Sequence, residues 1–481
     1  MRSPASLAPS APASLAPAAQ HLECFAYRPD LDGLRAIAII LVMLEHLFSG
    51  FGLFRGGLGV DVFFVLSGYL ITTIVHKELN NGTFRFRDFY ARRIRRLFPT
   101  LIVALTACLV TGWFILNQND FRLLGGTVAA SATSSMNYVL FSGMSFFHVD
   151  PKTLPFGHLW SLALEEQFYL IFPWILVGMT RAPLLRQWRV PVLVALSALS
   201  GLYWYEHRDL WGQTYYDPRA RSWELMMGVM LALCWGHVDV WKQRLGVCAH
   251  IFWKSPWGLR PVLLGIGSMI LAGEMSCDGL VLAVGASLIG LAQWLKYGGK
   301  NGKNTAEQSG SIPSFLTHSL ESESQSQNWK SNQVASALGV YLILTALMMP
   351  LRNPLCLVAI LATVGTALLI ASGPNAWTNI RCLSRPGMIY MGKISYALYV
   401  VHYPLYVIWG FVSGEIVRDS GVLWLIFALC FPLAGAIYHF VEKPTRRGPY
   451  LWRWVMAMAI CAGVGYAGYA EKIRPMGCSA S

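Results

Sequence analysis

Charge is scarce in this sequence: Asp, Glu, Lys and Arg together make up 13% of its 481 residues, against roughly 25% in a typical soluble domain. With hydrophobic residues at 55%, a water-soluble fold of this length would lack polar residues to cover itself. Cysteine chemistry is missing as well. The ten cysteines form no C-x-x-C pair and no zinc-ligand spacing, so no metal site is expected. Cys108, Cys234, Cys356, Cys430 and Cys461 lie in apolar runs and read as small core hydrophobes. Residues 3–20 are almost entirely Ala, Ser, Pro and Leu, without the apolar core of a signal peptide or an Arg-rich amphipathic pattern. Residues 1–26 are therefore expected to be a disordered leader. No internal repeat is found beyond the recurrence of helical hairpins.

What the sequence does have is apolar runs from end to end. They specify an all-α, polytopic transmembrane helical bundle of about 10–13 spans. The candidates lie near 36–54, 58–76, 99–117, 159–179, 190–206, 222–237, 261–273, 279–295, 334–350, 355–373, 388–411, 422–441 and 452–470. Between the second and third, "HKELNNGTFRFRDFYARRIRRLFP" carries Lys77, Arg85, Arg87, Arg92, Arg93, Arg95 and Arg96 against Glu78 and Asp88. A loop so basic stays in the cytoplasm, which places the N-terminus inside. The net charge of +13 is thus a topology signal, and nucleic acid is not an expected partner. Membrane lipids are. Residues 297–333, rich in Gly, Ser, Asn and Gln, are expected to form a flexible cytoplasmic insertion, and residues 447–481 a final span with a short tail.

Three segments place chemistry inside spans. In "DGLRAIAIILVMLEH", Arg35 and His46 are eleven residues apart. At about 100° per residue they share a helix face, roughly 16 Å apart along the axis. An imidazole deep in a span must face protein or a water-filled cavity, and it could be a general base, an acyl carrier or an interhelical hydrogen-bonding group. In "FGHLWSLALEEQFYLIFP", His158, Ser161 and Glu165 follow at steps of three and four, so a helix aligns them in one polar stripe with Glu166 around the corner. An interhelical clamp and a catalytic group are both open here; a Ser-His-Glu triad is conceivable but would draw nucleophile and base from one stripe. In "GKISYALYVVHYPL", Ser395, Tyr399 and His402 share a face, which reads as packing with interfacial aromatics. Finally, Arg93 and Arg96 stand one turn apart at the mouth of the third span, where they either set topology or grip a phosphate-bearing ligand.

These segments, joined by "GVDVFFVLSGYLIT", "FRDFYARRIRRLFP" and "FVEKPTR", occur in the order of acyltransferase family 3, the integral-membrane O-acyltransferases of surface polysaccharides and other glycans. The resemblance runs from about Tyr27 to Arg446, and the membrane acyltransferase domain is set at 27–446. It implies that Arg35 and His46 are the family's Arg-x10-His element, required for activity. Arg93 and Arg96 are then its Arg-x-x-Arg pair, which handles acyl-coenzyme A, and Glu442 is the acidic residue of its closing Glu-x-Pro element. His158, Glu165 and Glu166 are carried as further catalytic candidates, and Arg93, Arg96 and Glu442 as donor-binding ones. The expected reaction moves an acyl group, acetyl in the simplest case, from cytosolic acyl-CoA to a hydroxyl of a glycan or lipid-linked glycan, in the plasma (inner) membrane. Many members append an extracytoplasmic transferase domain, whereas only Glu471 to Ser481 follow the last span here. The membrane domain is therefore expected to deliver the acyl group itself or pass it to a separate protein. The alternative from another class is a glycan or lipid transporter that performs no acyl transfer.

Overall fold

The computed structural model describes residues 27–48, 57–142, 154–207, 210, 214–234, 314–349, 355–413, 419–448 and 450–476. The expected leader and the candidate spans at 261–273 and 279–295 lie outside these residues. Among those described there is no strand. In hydrocarbon each backbone N–H and C=O must be satisfied within its own segment, and helices do that.

The helices are α1 (Pro29–Phe48), α2 (Gly57–Asn80), α3 (Phe86–Ile115), α4 (Gln118–Ala132), α5 (Met136–Phe141), α6 (Trp160–Arg181), α7 (Pro183–Glu206), α8 (Pro218–Leu233), α9 (Ser314–Met348), α10 (Leu355–Ala371), α11 (Pro386–Ser413), α12 (Ser420–Ile437) and α13 (Leu451–Tyr469). Among the described residues, six helical stretches are long and apolar enough to cross a membrane: those at Gly57–Asn80, Phe86–Ile115, Gly157–Arg181, Trp329–Met348, Pro386–Ser413 and Ser420–Thr445. The molecule is a polytopic, all-α membrane bundle. Its outer surface is apolar, with Val110 and Phe114 on α3, Ile171 and Trp174 on α6, and Leu199 and Leu202 on α7 all exposed, as lipid contact requires.

The closest helix pairs are α1 with α11, α2 with α8, and α4 with α13. Small residues permit them: a Cβ on Gly392 would fall 1.9 Å from the carbonyl oxygen of Asp32, and one on Gly228 would fall 2.1 Å from that of Val65. Backbones that touch in this way gain dispersion contact where no hydrophobic effect separates helix from lipid. The pairing of α1 with α11 matters most, since it lays the Arg35–His46 face beside the Ser395–His402 face. One large apolar cluster spans α1 to α8 and α11 to α13. A second ties α1 and α2 to α9 and α10.

The structure departs from the sequence reading at two places. Residues 118–141 were expected only as part of a connection, but α4 and α5 occupy them. The α4 segment "QNDFRLLGGTVAASA" is apolar through small residues, so it scores low on hydropathy yet packs tightly through Gly125 against the carbonyl of Gly465, 2.6 Å from an added Cβ. The expected flexible insertion at 297–333 is helical from Ser314 onward, as part of α9; the rest of it lies outside the described residues. Two single turns of π-helix, Asn379–Leu383 before α11 and Tyr438–Glu442 after α12, interrupt regular helix, and the second carries Glu442.

Candidate active site

A cavity of 440 Å³ opens among α1, α2, α3, α6 and α11 at the end of the bundle that carries the basic α2–α3 turn. Five basic residues line it, Arg28, Arg35, Lys77, Arg93 and Arg96, against two acidic ones, Asp32 and Glu165. Arg28 is committed to Asp30 at 2.6 Å, and Arg35 lies 3.6 Å from Asp32. Neither Arg93 nor Arg96 has a carboxylate within 4.0 Å among the described residues. Arg93 instead stacks its guanidinium 4.9 Å from the ring of Tyr169. The Nε of Arg96 is buried without a hydrogen-bond partner. A cavity wall with surplus guanidinium groups is a place for an anion, because the alternative is desolvated positive charge with nothing to offset it.

The neighbouring carboxylates of α6 diverge as their 100° separation demands. Glu165 faces the cavity and accepts from the Tyr169 hydroxyl at 2.9 Å. Glu166 turns to the α4–α5 junction, where Ser134 donates to it at 2.5 Å from a left-handed backbone with φ of 51°. Neither carboxylate has an arginine, lysine or histidine nitrogen within 4.0 Å among the described residues. The triad idea fails on geometry. Ser161 Oγ is hydrogen-bonded to the Tyr399 hydroxyl at 2.6 Å, and His158 Nε2 donates to the carbonyl of Tyr399 at 2.8 Å, so serine and histidine are each tied to a different group of Tyr399 and not to each other. His158 also lies in the 3₁₀ turn Gly157–Leu159 that precedes α6.

The cavity ends at Ser161, Leu162 and Tyr399. Tyr399 is pinned there, its hydroxyl donating to the carbonyl of His158 at 2.5 Å. Behind it lie three imidazoles. The ring centroids of His46 and His402 are 5.1 Å apart, those of His158 and His402 5.1 Å, and those of His46 and His158 6.1 Å. His46 Nδ1 is 2.8 Å from His402 Nε2. His158 Nδ1 is buried without a partner, a lone pair left open since Nε2 is the donor. Among the described residues no group of three or more His, Cys, Asp or Glu is arranged to hold a metal ion.

The structure thus gathers Arg35, Arg93, Arg96 and Glu165 around one cavity, and His46 and His158 into a cluster one aromatic ring beyond it. Glu166 and Glu442 do not line the cavity. Glu442 is buried, with one oxygen paired to Arg446 at 2.5 Å and the other unpartnered. Sequence reasoning undervalued Tyr399 and His402, which it took for packing groups; the available signal was a third histidine inside an apolar run, on the same face as the tyrosine.

The family model described as an acyltransferase domain matches residues 28–306, more than half of the chain. Among curated proteins, YrhL of Bacillus subtilis, provisionally assigned as a peptidoglycan O-acetyltransferase, is 41% identical over 231 residues, 46% of this chain and 35% of its own length. The peptidoglycan O-acetyltransferase OatA of Listeria monocytogenes is 34% identical over 214 residues, 44% of this chain and 34% of its own. The chain spans about a third of the length of these relatives. No solved structure matches it.

Proposed function

The chain belongs to the acyltransferase 3 family, and from that premise we propose that it is a membrane-embedded O-acyltransferase that moves an acetyl group from acyl-coenzyme A to a hydroxyl of a glycan or lipid-linked glycan. The observation that carries this reading is the basic cavity that ends at Tyr399, whose ring lies 5.9 Å from that of His402, the residue that hydrogen-bonds to His46. Its volume lies within the roughly 300–1,000 Å³ of small-molecule sites. Its uncommitted guanidinium groups suit the phosphates of coenzyme A, which Arg93 and Arg96 can hold bidentately as a lysine could not. The basic turn at the mouth favours a cytoplasmic position for that end and for the N-terminus, in the plasma membrane, where acyl-CoA is at hand. The peptidoglycan named for two relatives supports a glycan acceptor.

In this reading the pantetheine arm follows the cavity inward past Arg35, which holds it on course, as far as Leu162 and Tyr399, and the Tyr399 ring moves aside to let the thioester reach His46. His46, partly exposed, takes the acceptor hydroxyl's proton as the oxygen attacks the thioester carbon. The C–S bond then breaks, and the departing thiolate takes from the imidazole the proton that the acceptor hydroxyl gave up. His46→Ala should abolish coenzyme A release and acyl transfer by purified protein supplied with acetyl-coenzyme A and a soluble peptidoglycan fragment, a loss of at least about 100-fold. Expression and membrane insertion should persist, because the change removes a polar group from an apolar helix. Wild-type turnover in that variant would overturn the assignment. Wild-type protein that binds the glycan but releases no coenzyme A would point to transport instead.

A further inference from the structure

The proposal that His46 is the base leaves open which ring nitrogen is free to act, and its surroundings decide this. His402 is fully buried on α11. Its Nδ1 lies 2.9 Å from the carbonyl oxygen of Leu398, one turn back on the same helix. A carbonyl oxygen only accepts, so Nδ1 must carry the hydrogen; the second lone pair of Leu398 makes room for it beside the helical N–H. A neutral imidazole with a proton on Nδ1 has its lone pair on Nε2. That Nε2 is 2.8 Å from His46 Nδ1, with the two ring planes inclined by 10°. His46 Nδ1 is then the donor, and the lone pair of His46 is displaced to Nε2.

The competing arrangement has His402 doubly protonated and donating to His46 from Nε2. That would place a cation at a fully buried position with no carboxylate within 4.0 Å among the described residues, at a cost nothing nearby offsets. Burial thus selects the neutral chain Leu398 C=O, His402, His46, and the chain selects the tautomer.

Resting on the reading of His46 as the base, we propose that His402 is a positioning residue for acyl transfer: its hydrogen bond holds His46 with Nδ1 protonated and Nε2 bare. In the transfer step the acceptor O–H bond breaks as its oxygen bonds to the acyl carbon. The proton goes to His46 Nε2, and Nδ1–H continues to donate to His402, which offsets part of the new imidazolium charge. When the C–S bond breaks, the thiolate takes the proton from Nε2. Without an acceptor at position 402, His46 would divide between tautomers and turn freely, and the reacting nitrogen would be wrongly protonated part of the time.

The test uses the full-length chain in lipid nanodiscs, with acetyl-coenzyme A and a soluble peptidoglycan fragment. His402→Leu and His402→Phe remove the acceptor, the second keeping a ring in place; His402→Gln keeps an acceptor oxygen on a side chain of similar reach. Both apolar variants should lose about 100-fold in kcat with KM changed by less than about 3-fold, while the Gln variant stays within about 10-fold of wild type. In parallel, ¹⁵N-histidine spectra, assigned by difference from His46→Gln, should show His46 protonated on Nδ1 in the wild type and in His402→Gln. They should show mixed tautomers in whichever apolar variant folds. Unchanged kcat in the apolar variants, or an unchanged His46 tautomer, overturns the proposal. A wild-type protein with the expected tautomer and no acyl transfer would instead remove the reading of His46 as the base and leave its hydrogen bond in place.

Discussion

Arg221 and Arg93 are both arginines of the membrane bundle, but the first is sealed between two carboxylates and the second faces a void. Arg221 on α8 is 1% exposed; its Nη2 is 2.6 Å from Asp61 Oδ1 on α2, and its Nη1 is 2.8 Å from Glu224 Oε1 one turn on. The rings of Phe64, Trp160 and Tyr215 surround the guanidinium at 5.2–5.9 Å. It does not line the cavity that Arg93 and Arg96 share. Arg93 and Arg96 share a cavity with three further basic residues and only two carboxylates. A buried arginine whose charge is answered by side chains holds helices together. One whose charge is left unanswered beside an opening is kept for a ligand. The sealed cluster also lies on the helix pair α2 and α8, whose backbones touch through Gly68 and Gly228, so its geometry is held by backbone contact.

The sharpest way to break this contrast is Arg221→Met. Removing one partner of a buried ion pair strands the others, at a cost of about 3–5 kcal/mol. The variant should fail to give a monodisperse peak on fluorescence-detected size exclusion. Replacing the whole cluster at once, with Asp61→Asn, Arg221→Met and Glu224→Gln, should restore the peak, since well-packed neutral groups are often as stable as the ion cluster they replace. A single variant that folds like wild type would show that the cluster is not a clamp. A triple variant that folds but releases no coenzyme A would move it from clamp to site.

A smaller effect is expected on the open side. Arg93→Ala and Arg96→Ala should leave size-exclusion behaviour intact and raise KM for acetyl-coenzyme A about 10-fold to 100-fold each, corresponding to charge-assisted hydrogen bonds of about 1.5–3 kcal/mol. High donor concentration should recover kcat if the lost contact is equal in ground and transition states. Lysine at either position should recover only part, for want of a bidentate grip. Unchanged KM in both alanine variants would return these arginines to a topological role.

The two clusters were not equally legible in the sequence. Arg93 and Arg96 lie three residues apart in one conspicuous basic run, and Arg35 and His46 fall on one face of α1 by periodicity alone; the structure keeps both relations. Asp61 and Arg221 are 160 residues apart, each near the end of an apolar run where a charge looks like an ordinary boundary marker, and only the close packing of α2 on α8 joins them. Periodicity also could not show that Tyr399 lines the cavity with Arg35 while its ring packs against His158 and His402, because that depends on how α11 docks on α1. The same limit hid α4, whose small residues carry packing but little hydropathy, and with it the partner of Glu166.

The smallest predicted effect tests whether the cavity or merely the positive field of the basic run binds the donor. Arg92 precedes Arg93 in sequence, but the helix turns it outward, where it is 48% exposed and bonded to Glu78 at 2.7 and 2.9 Å. An exposed pair of this kind contributes about 0–1 kcal/mol. Arg92→Ala should therefore change thermal stability little and move KM for acetyl-coenzyme A by less than about 3-fold at physiological salt, where field effects from exposed charge are screened within about 8 Å. The three neighbouring alanine variants remove the same formal charge and differ only in whether the guanidinium lines the cavity. If Arg92→Ala raised KM as much as Arg93→Ala, and the rise disappeared in high salt for both, long-range attraction to a basic surface would explain the donor preference. If only the cavity-lining pair matters, and its effect survives added salt, the phosphates are held by contact inside the bundle.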